Sequence, residues 1–110
     1  MDQTPASRKD EKLRELIRAL AADFISKESN RTSLVTVTNV LVSDRGQRVA
    51  ILFTVMPERS QDAILDFLTR KGDEFRQYVR THARLGRLPF ISFKIDYGEK
   101  NRQRADELLG

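Results

Sequence analysis

The chain has 110 residues, 39% hydrophobic and 33% charged, which is one domain's worth with a small core. It has no cysteine and a single histidine, which excludes disulfides, thiolate metal sites, cysteine nucleophiles and paired-histidine metal sites. No apolar run approaches the roughly 18–20 residues of a membrane span, and the opening MDQTPASRKD lacks the apolar stretch of a secretory signal, so a soluble protein of the reducing cytoplasm is expected.

Residues 1–6 are polar, contain Pro5, and are expected to fray, as is Gly110. Ser7 can cap a first helix, with Asp10 and Glu11 in its opening turn. Leu13, Leu16, Ile17, Leu20 and Phe24 share one helical face, and this helix should run to about Ser26. The polar residues 27–33 follow as a loop. Leu34–Ser43, LVTVTNVLVS, is β-branched and partly alternating, hence a strand. Residues 43–47, SDRGQ, are turn chemistry, with Gly46 free to take positive φ. Arg48–Met56, RVAILFTVM, is a second strand, antiparallel to the first and either covered on both faces or central in the sheet.

Pro57 ends that strand, and Ser60 with Asp62 should start a second helix. Ile64, Leu68, Phe75, Val79 and His82 continue at near-helical spacing to about Leu85, flanked by Phe67 and Tyr78. Gly72 interrupts the pattern, so a kink or a break between two helices is expected there. Gly86 and Pro89 terminate the helix. Residues 90–97, FISFKIDY, alternate as a third strand, and residues 101–109 can form a short last helix with Ala105, Leu108 and Leu109 on one side. The order is α-β-β-α-β, without internal repeats.

Enzyme signatures are absent: no phosphate-binding or dinucleotide-binding glycine loop and no nucleophile elbow occurs. His82 falls on the apolar face of the second helix with no carboxylate near it in sequence, which suits a structural histidine better than a general base. Asp62 and Asp66, one turn apart, fit a solvated helix face better than a metal site; neither a metal nor a cofactor is expected. Phe90 and Phe93 lie on opposite faces of the third strand. One belongs to the core, and the other is left to stack a base or to pack partly against a helix.

The charge distribution is more informative. Residues 70–94 hold seven cations, Arg70, Lys71, Arg76, Arg80, Arg84, Arg87 and Lys94, against Asp73 and Glu74, while the remaining stretches balance or lean acidic. Arginine supplies 14 of the 20 cations, and guanidinium suits bidentate phosphate contacts. On a continuous helix, Arg76, Arg80, Arg84 and Arg87, spaced 4, 4 and 3, would share one face. Such a stripe is either a solvated face or the footprint of a phosphate-backbone binder.

Several strings together resemble the ribosome-binding factor A family. Residues 34–43 resemble its first strand, typically vTVTdVevS, and residues 48–55 its second. Pro89, Ile91, Phe93 and Asp96 resemble its P-x-[LI]-x-F…D string, residues 102–109 its closing ri-x-x-LL, and residues 13–25 its N-terminal helix. The resemblance covers about residues 7–109. It implies an α+β, type II KH-like domain over 1–110, a three-stranded sheet packed by helices on one face. It also implies a non-enzymatic, cytoplasmic, monomeric assembly factor that binds the 30S subunit and assists late 16S rRNA maturation and cold adaptation. The KH G-x-x-G loop is replaced in the family by an Ala-x-Gly kink; Arg70-Lys71-Gly72 stands there in this chain, and residues 28–31, ESNR, stand where Asp-Pro-Arg is common. The chain ends short of the C-terminal extension of many members. The expected RNA contacts are Arg70, Lys71, Gly72, Arg76, Arg80, Arg84 and Arg87, with Arg45, Arg48 and Lys94 in support. A KH-like module for another RNA, or a protein-interaction domain, is the alternative.

Overall fold

The computed structural model describes residues 8–28 and 33–98. The capping role of Ser7 and the helix expected over 101–109 lie outside them. The elements are α1 (Arg8–Glu28), β1 (Leu34–Ser43), β2 (Arg48–Met56), α2 (Gln61–Arg70), α3 (Gly72–His82) and β3 (Phe90–Ile95). The sheet order is β1-β2-β3, with β2 antiparallel to β1 and parallel to β3. β2 is therefore the central strand, which accounts for its unbroken apolar run.

The helices cover one face of the sheet. Val49, Ile51, Phe53 and Val55 of β2 point into the core with Phe93 and Ile95 of β3, meeting Ile17, Ala21, Phe24 and Ile25 of α1, Leu68 of α2, and Phe75 and Val79 of α3. The opposite face carries the exposed apolar side chains Leu34, Leu41, Met56 and Phe90. Phe90 and Phe93 do separate as their parity requires: 60% and 8% exposed.

A bulge makes the β1 pattern intelligible. The register with β2 shifts between Val37 and Asn39, so Thr38 is an extra residue. Before it, odd positions Val35 and Val37 pack on the core; after it, even positions Val40 and Val42 do. A parity change in the valines is thus matched by a parity change in the backbone. The Thr38 hydroxyl lies 3.3 Å from the Leu52 carbonyl oxygen and donates to the Asp96 carboxylate. Asp96 is itself fixed by its backbone N–H on the Phe53 carbonyl at 2.8 Å. The bulge thereby ties β1 to the end of β3 across the central strand. Thr38→Val should lower stability by roughly 1–2 kcal/mol, because a part-buried carboxylate loses its donor. Chemical denaturation checks this; an unchanged midpoint would show that the bulge holds without the hydroxyl.

Ser60 is the N-cap residue of α2, as expected, with Asp62 in the first turn, although it makes no side-chain capping bond and also closes the 3-10 turn Glu58–Ser60. Two sequence expectations are corrected. β3 ends at Ile95, two residues early, where Asp96 turns to Thr38. α1 continues to Glu28, two residues beyond Ser26, with Lys27 favourably placed in its last turn.

Candidate nucleic-acid interface

The interrupted second helix is two helices. Lys71 takes φ −87°, ψ 6° between α2 and α3. Its N–H bonds the carbonyls of Phe67 and Leu68 at 3.0 and 3.1 Å, and its own carbonyl accepts from the N–H of Phe75 at 2.9 Å, opening α3. Gly72 follows without positive φ, and a Cβ added there would meet nothing within 4 Å. Gly46 differs: its φ is +83°, so a side chain there is strained. The backbone does not demand glycine at 72. What glycine provides there is a bare helix corner that another backbone can approach closely.

Lys71 itself is turned inward. Its ammonium lies 3.3 Å from Glu28 at the end of α1 and 3.3 Å from Glu74, and 5.7 Å from the centre of the Phe67 ring. Hydrogen bonding to Glu28 first, and to Glu74 second, raises its pKa, so it stays charged at neutral pH. Sequence grouped Lys71 with the phosphate contacts; the structure makes it a clasp between α1 and the corner.

Beside the corner is an open recess lined by Arg70, Gly72, Asp73, Arg76, Phe90 and Ile91. Arg70 is exposed, with Asp66 at 3.5 Å. The guanidinium of Arg76 donates to the Pro89 carbonyl at 2.8 Å, drawing the loop before β3 against α3. Phe90 stands exposed at the mouth, with Arg48 placed 5.5 Å from its ring centre. Arg48 is also 3.9 Å from Asp44. An exposed ring flanked by guanidiniums is the arrangement on which unstacked bases settle.

The expected row of four arginines is not a row. α3 stops at His82, and Ala83 is extended at φ −142°, ψ 150°. Arg76 and Arg80 remain on the helix, one turn apart; Arg84 and Arg87 lie in the following loop. The apolar spacing that suggested a helix to Leu85 is met otherwise, by Ala83, Leu85 and Leu88 packing on the core from irregular backbone. Lys94 is exposed on the outer sheet face, opposite Leu52. Arg45 is exposed at the hairpin tip in left-handed conformation, φ 56°.

His82 is not on the apolar face. It is exposed, with its ring stacked on Tyr78 at 4.0 Å between centres and its Nδ1 2.8 Å from the Tyr78 carbonyl. Tyr78 in turn donates to Asp23 of α1, which also pairs with Lys27 at 3.2 Å. Those bonds, Tyr78 first, lower the Asp23 pKa, so this α1–α3 tie weakens only in acid below the ordinary carboxylate range. Asp66 serves Arg70, and no group of three or more potential metal ligands occurs among the described residues.

The fold has counterparts in known proteins. The model of the family described as Ribosome-binding factor A matches residues 8–109. The chain belongs to the ribosome-binding factor A family. It is 30% identical over 102 residues to the Ribosome-binding factor A of Coprothermobacter proteolyticus, covering 90% of this chain and 74% of that one. It is 30% identical over 105 residues to that of Geobacter metallireducens, covering 93% and 89%. Its fold is similar to the crystal structure of ribosome-binding factor A from Thermus thermophilus, with TM-score 0.69 at 21% identity over 77% of this chain and 92% of that one. The α+β, KH-like architecture is thus that of the family's solved structures.

Within the ribosome-binding factor A fold, the helix corner at Arg70-Lys71-Gly72 and the start of β3 are brought together by the Arg76–Pro89 bond. Sequence reasoning placed the corner but missed the division of labour, Lys71 holding and Arg70 facing outward. The local sequence signal was Glu74, three residues after Lys71; the other partner, Glu28, lies at the far end of another helix.

Proposed function

We propose that the chain binds the small (30S) ribosomal subunit and assists late maturation of 16S rRNA, without covalent chemistry, by holding one rRNA conformer in preference to another. The observation that carries this is the exposed Phe90, with Arg48 against its ring and with Arg70 and Arg76 lining the same recess at the helix corner, in a member of the ribosome-binding factor A family. Arg70, Arg76 and Arg80 contact phosphates, Gly72 lets the RNA backbone approach, and Phe90 stacks a base, worth about 1–3 kcal/mol. Arg84, Arg87, Arg45, Arg48 and Lys94 extend the positive field, and Lys71 keeps the corner in shape. The factor works as a cytoplasmic monomer and matters most for growth in the cold.

Co-sedimentation with purified small subunits at low and high salt tests the reading. The chain should migrate with the small subunit at low salt, leave it as salt rises, and be absent from joined ribosomes. A chain that stays at the top of the gradient at every salt refutes it. Gly72→Ala should leave the fold intact, since the added methyl meets open space, yet reduce association several-fold by standing where the RNA backbone comes close. A variant that binds like the parent removes Gly72 from the contact.

A further inference from the structure

A second concave surface lies across the 85–89 loop from the recess. The first turns of α1, the hairpin tip and that loop enclose a groove of about 590 Å³, within the size range of small-molecule sites. Its floor is aliphatic, built by Leu13, Leu16 and Leu88. Its rim carries Lys9, Lys12, Arg45 and Arg87, all exposed, with Asp10 the single acid among the described lining residues. None of the four cations is in an ion pair with a described residue. The rim is drawn from three separate chain segments, so the concentration of charge is a product of the fold. The tip is locked in place: the N–H of Phe90 donates to the Gln47 carbonyl at 2.8 Å, and Asp44, Arg45 and Gly46 all take positive φ.

We propose that this groove is a second RNA site, accepting one unstacked nucleotide with its base on the leucine floor and the flanking phosphates on Lys9, Lys12, Arg45 and Arg87. The inference rests on the RNA-binding reading above and extends it to another surface. Four cations around an apolar slot match a nucleotide, which offers a flat apolar face between anionic groups. The groove also continues the recess: residues 85–89 form its wall, Pro89 lines it while holding Arg76, and Phe90 follows directly. A single strand that leaves Phe90 enters the groove after crossing that loop.

The test is fluorescence anisotropy with a labelled single-stranded oligouridylate of about twelve nucleotides, titrated at several salt concentrations. The parent chain is compared with Lys12→Ala/Arg87→Ala and with Arg70→Ala/Arg80→Ala, each first shown to melt as the parent does. The groove variant should bind roughly tenfold more weakly, with a salt slope reduced by about 1.4, the value for two lost single-strand phosphate contacts. A photoreactive 4-thiouridine oligomer should cross-link to peptides containing Leu13, Leu16 or Leu88. Unchanged affinity and slope in the groove variant, with a loss in the corner variant, would overturn the groove and leave the corner standing. A parent chain that co-sediments with small subunits but ignores the oligomer also overturns the groove. So does groove-dependent binding of a glutamate-rich peptide in place of RNA, which would assign the surface to a protein partner. Failure of both the oligomer and the small subunits would sink the RNA-binding reading as a whole.

Discussion

Reversing two charges, Arg70→Glu with Arg80→Glu, should weaken association with the small subunit by about ten- to a hundredfold and flatten its salt dependence, leaving the fold in place. Each arginine removed costs one phosphate contact and lowers the salt slope by roughly one, and each glutamate adds repulsion. The fold survives because both side chains are exposed. The Arg70–Asp66 pair, at 3.5 Å with side chains 70% and 72% exposed, is of a kind worth well under about 1 kcal/mol. The reversal also sets two acids one turn apart, a penalty of a few tenths of a kcal/mol. Thermal melting and gradient co-sedimentation on the same preparation separate the two effects. A folded double variant that binds as the parent does removes the corner from the mechanism. Arg84→Glu is the informative companion. It lies beyond the end of α3, so its effect should be smaller than that of Arg80→Glu, whereas a continuous helix would make the two equal.

Phe75→Ala should be the most damaging single truncation, at roughly 3–5 kcal/mol. Phe75 is fully buried and sits where three elements meet. Its ring centre is 5.2 Å from Phe24 of α1, 5.6 Å from Phe93 of β3 and 6.5 Å from Tyr78 of α3. The rings are tilted, edge-on or offset, geometries that add to simple burial. Removing the ring leaves a cavity that rigid helices and a sheet cannot close. Against a total stability of about 5–15 kcal/mol, the variant is at the margin of folding at 37 °C. Denaturant unfolding measures this directly; Phe75→Leu, which keeps most of the volume, should recover more than half of the loss.

The strands were legible because their signals are local. Alternating valines and threonines, a glycine at the tip and a proline after Met56 mark β1 and β2 to the residue, and even the bulge leaves its trace as a change of valine parity. The end of α3 was not legible. Ala83, Leu85 and Leu88 satisfy helical spacing but pack from a loop, whose course depends on the Arg76–Pro89 bond made between distant segments. Lys71 looked like any cation of the basic stretch, because Glu28 reaches it only through the packing of α1 on the corner. The groove was invisible for a related reason. Lys9 and Lys12 lie in a window where acids and bases balance, so counting charges along the chain cancels what folding separates in space.

The parallel pairing of β3 with β2 has a consequence for when this molecule becomes competent. β1 and β2 close through residues 44–47, a hairpin that forms on the scale of about 1–10 μs. β3 pairs with β2 only after residues 57–89 have been wound into α2, α3 and their loops, and the entropy of closing that long segment delays it. During synthesis, β3 is also the last described strand to emerge. Until it docks, one edge of β2 is unpaired, Phe75 lacks Phe93, and Phe90 has no fixed place beside Arg48. The exposed ring of Phe90 beside Arg48 is thus set in place in the same step as the sheet, so on the proposed reading a half-made chain lacks its stacking contact with RNA.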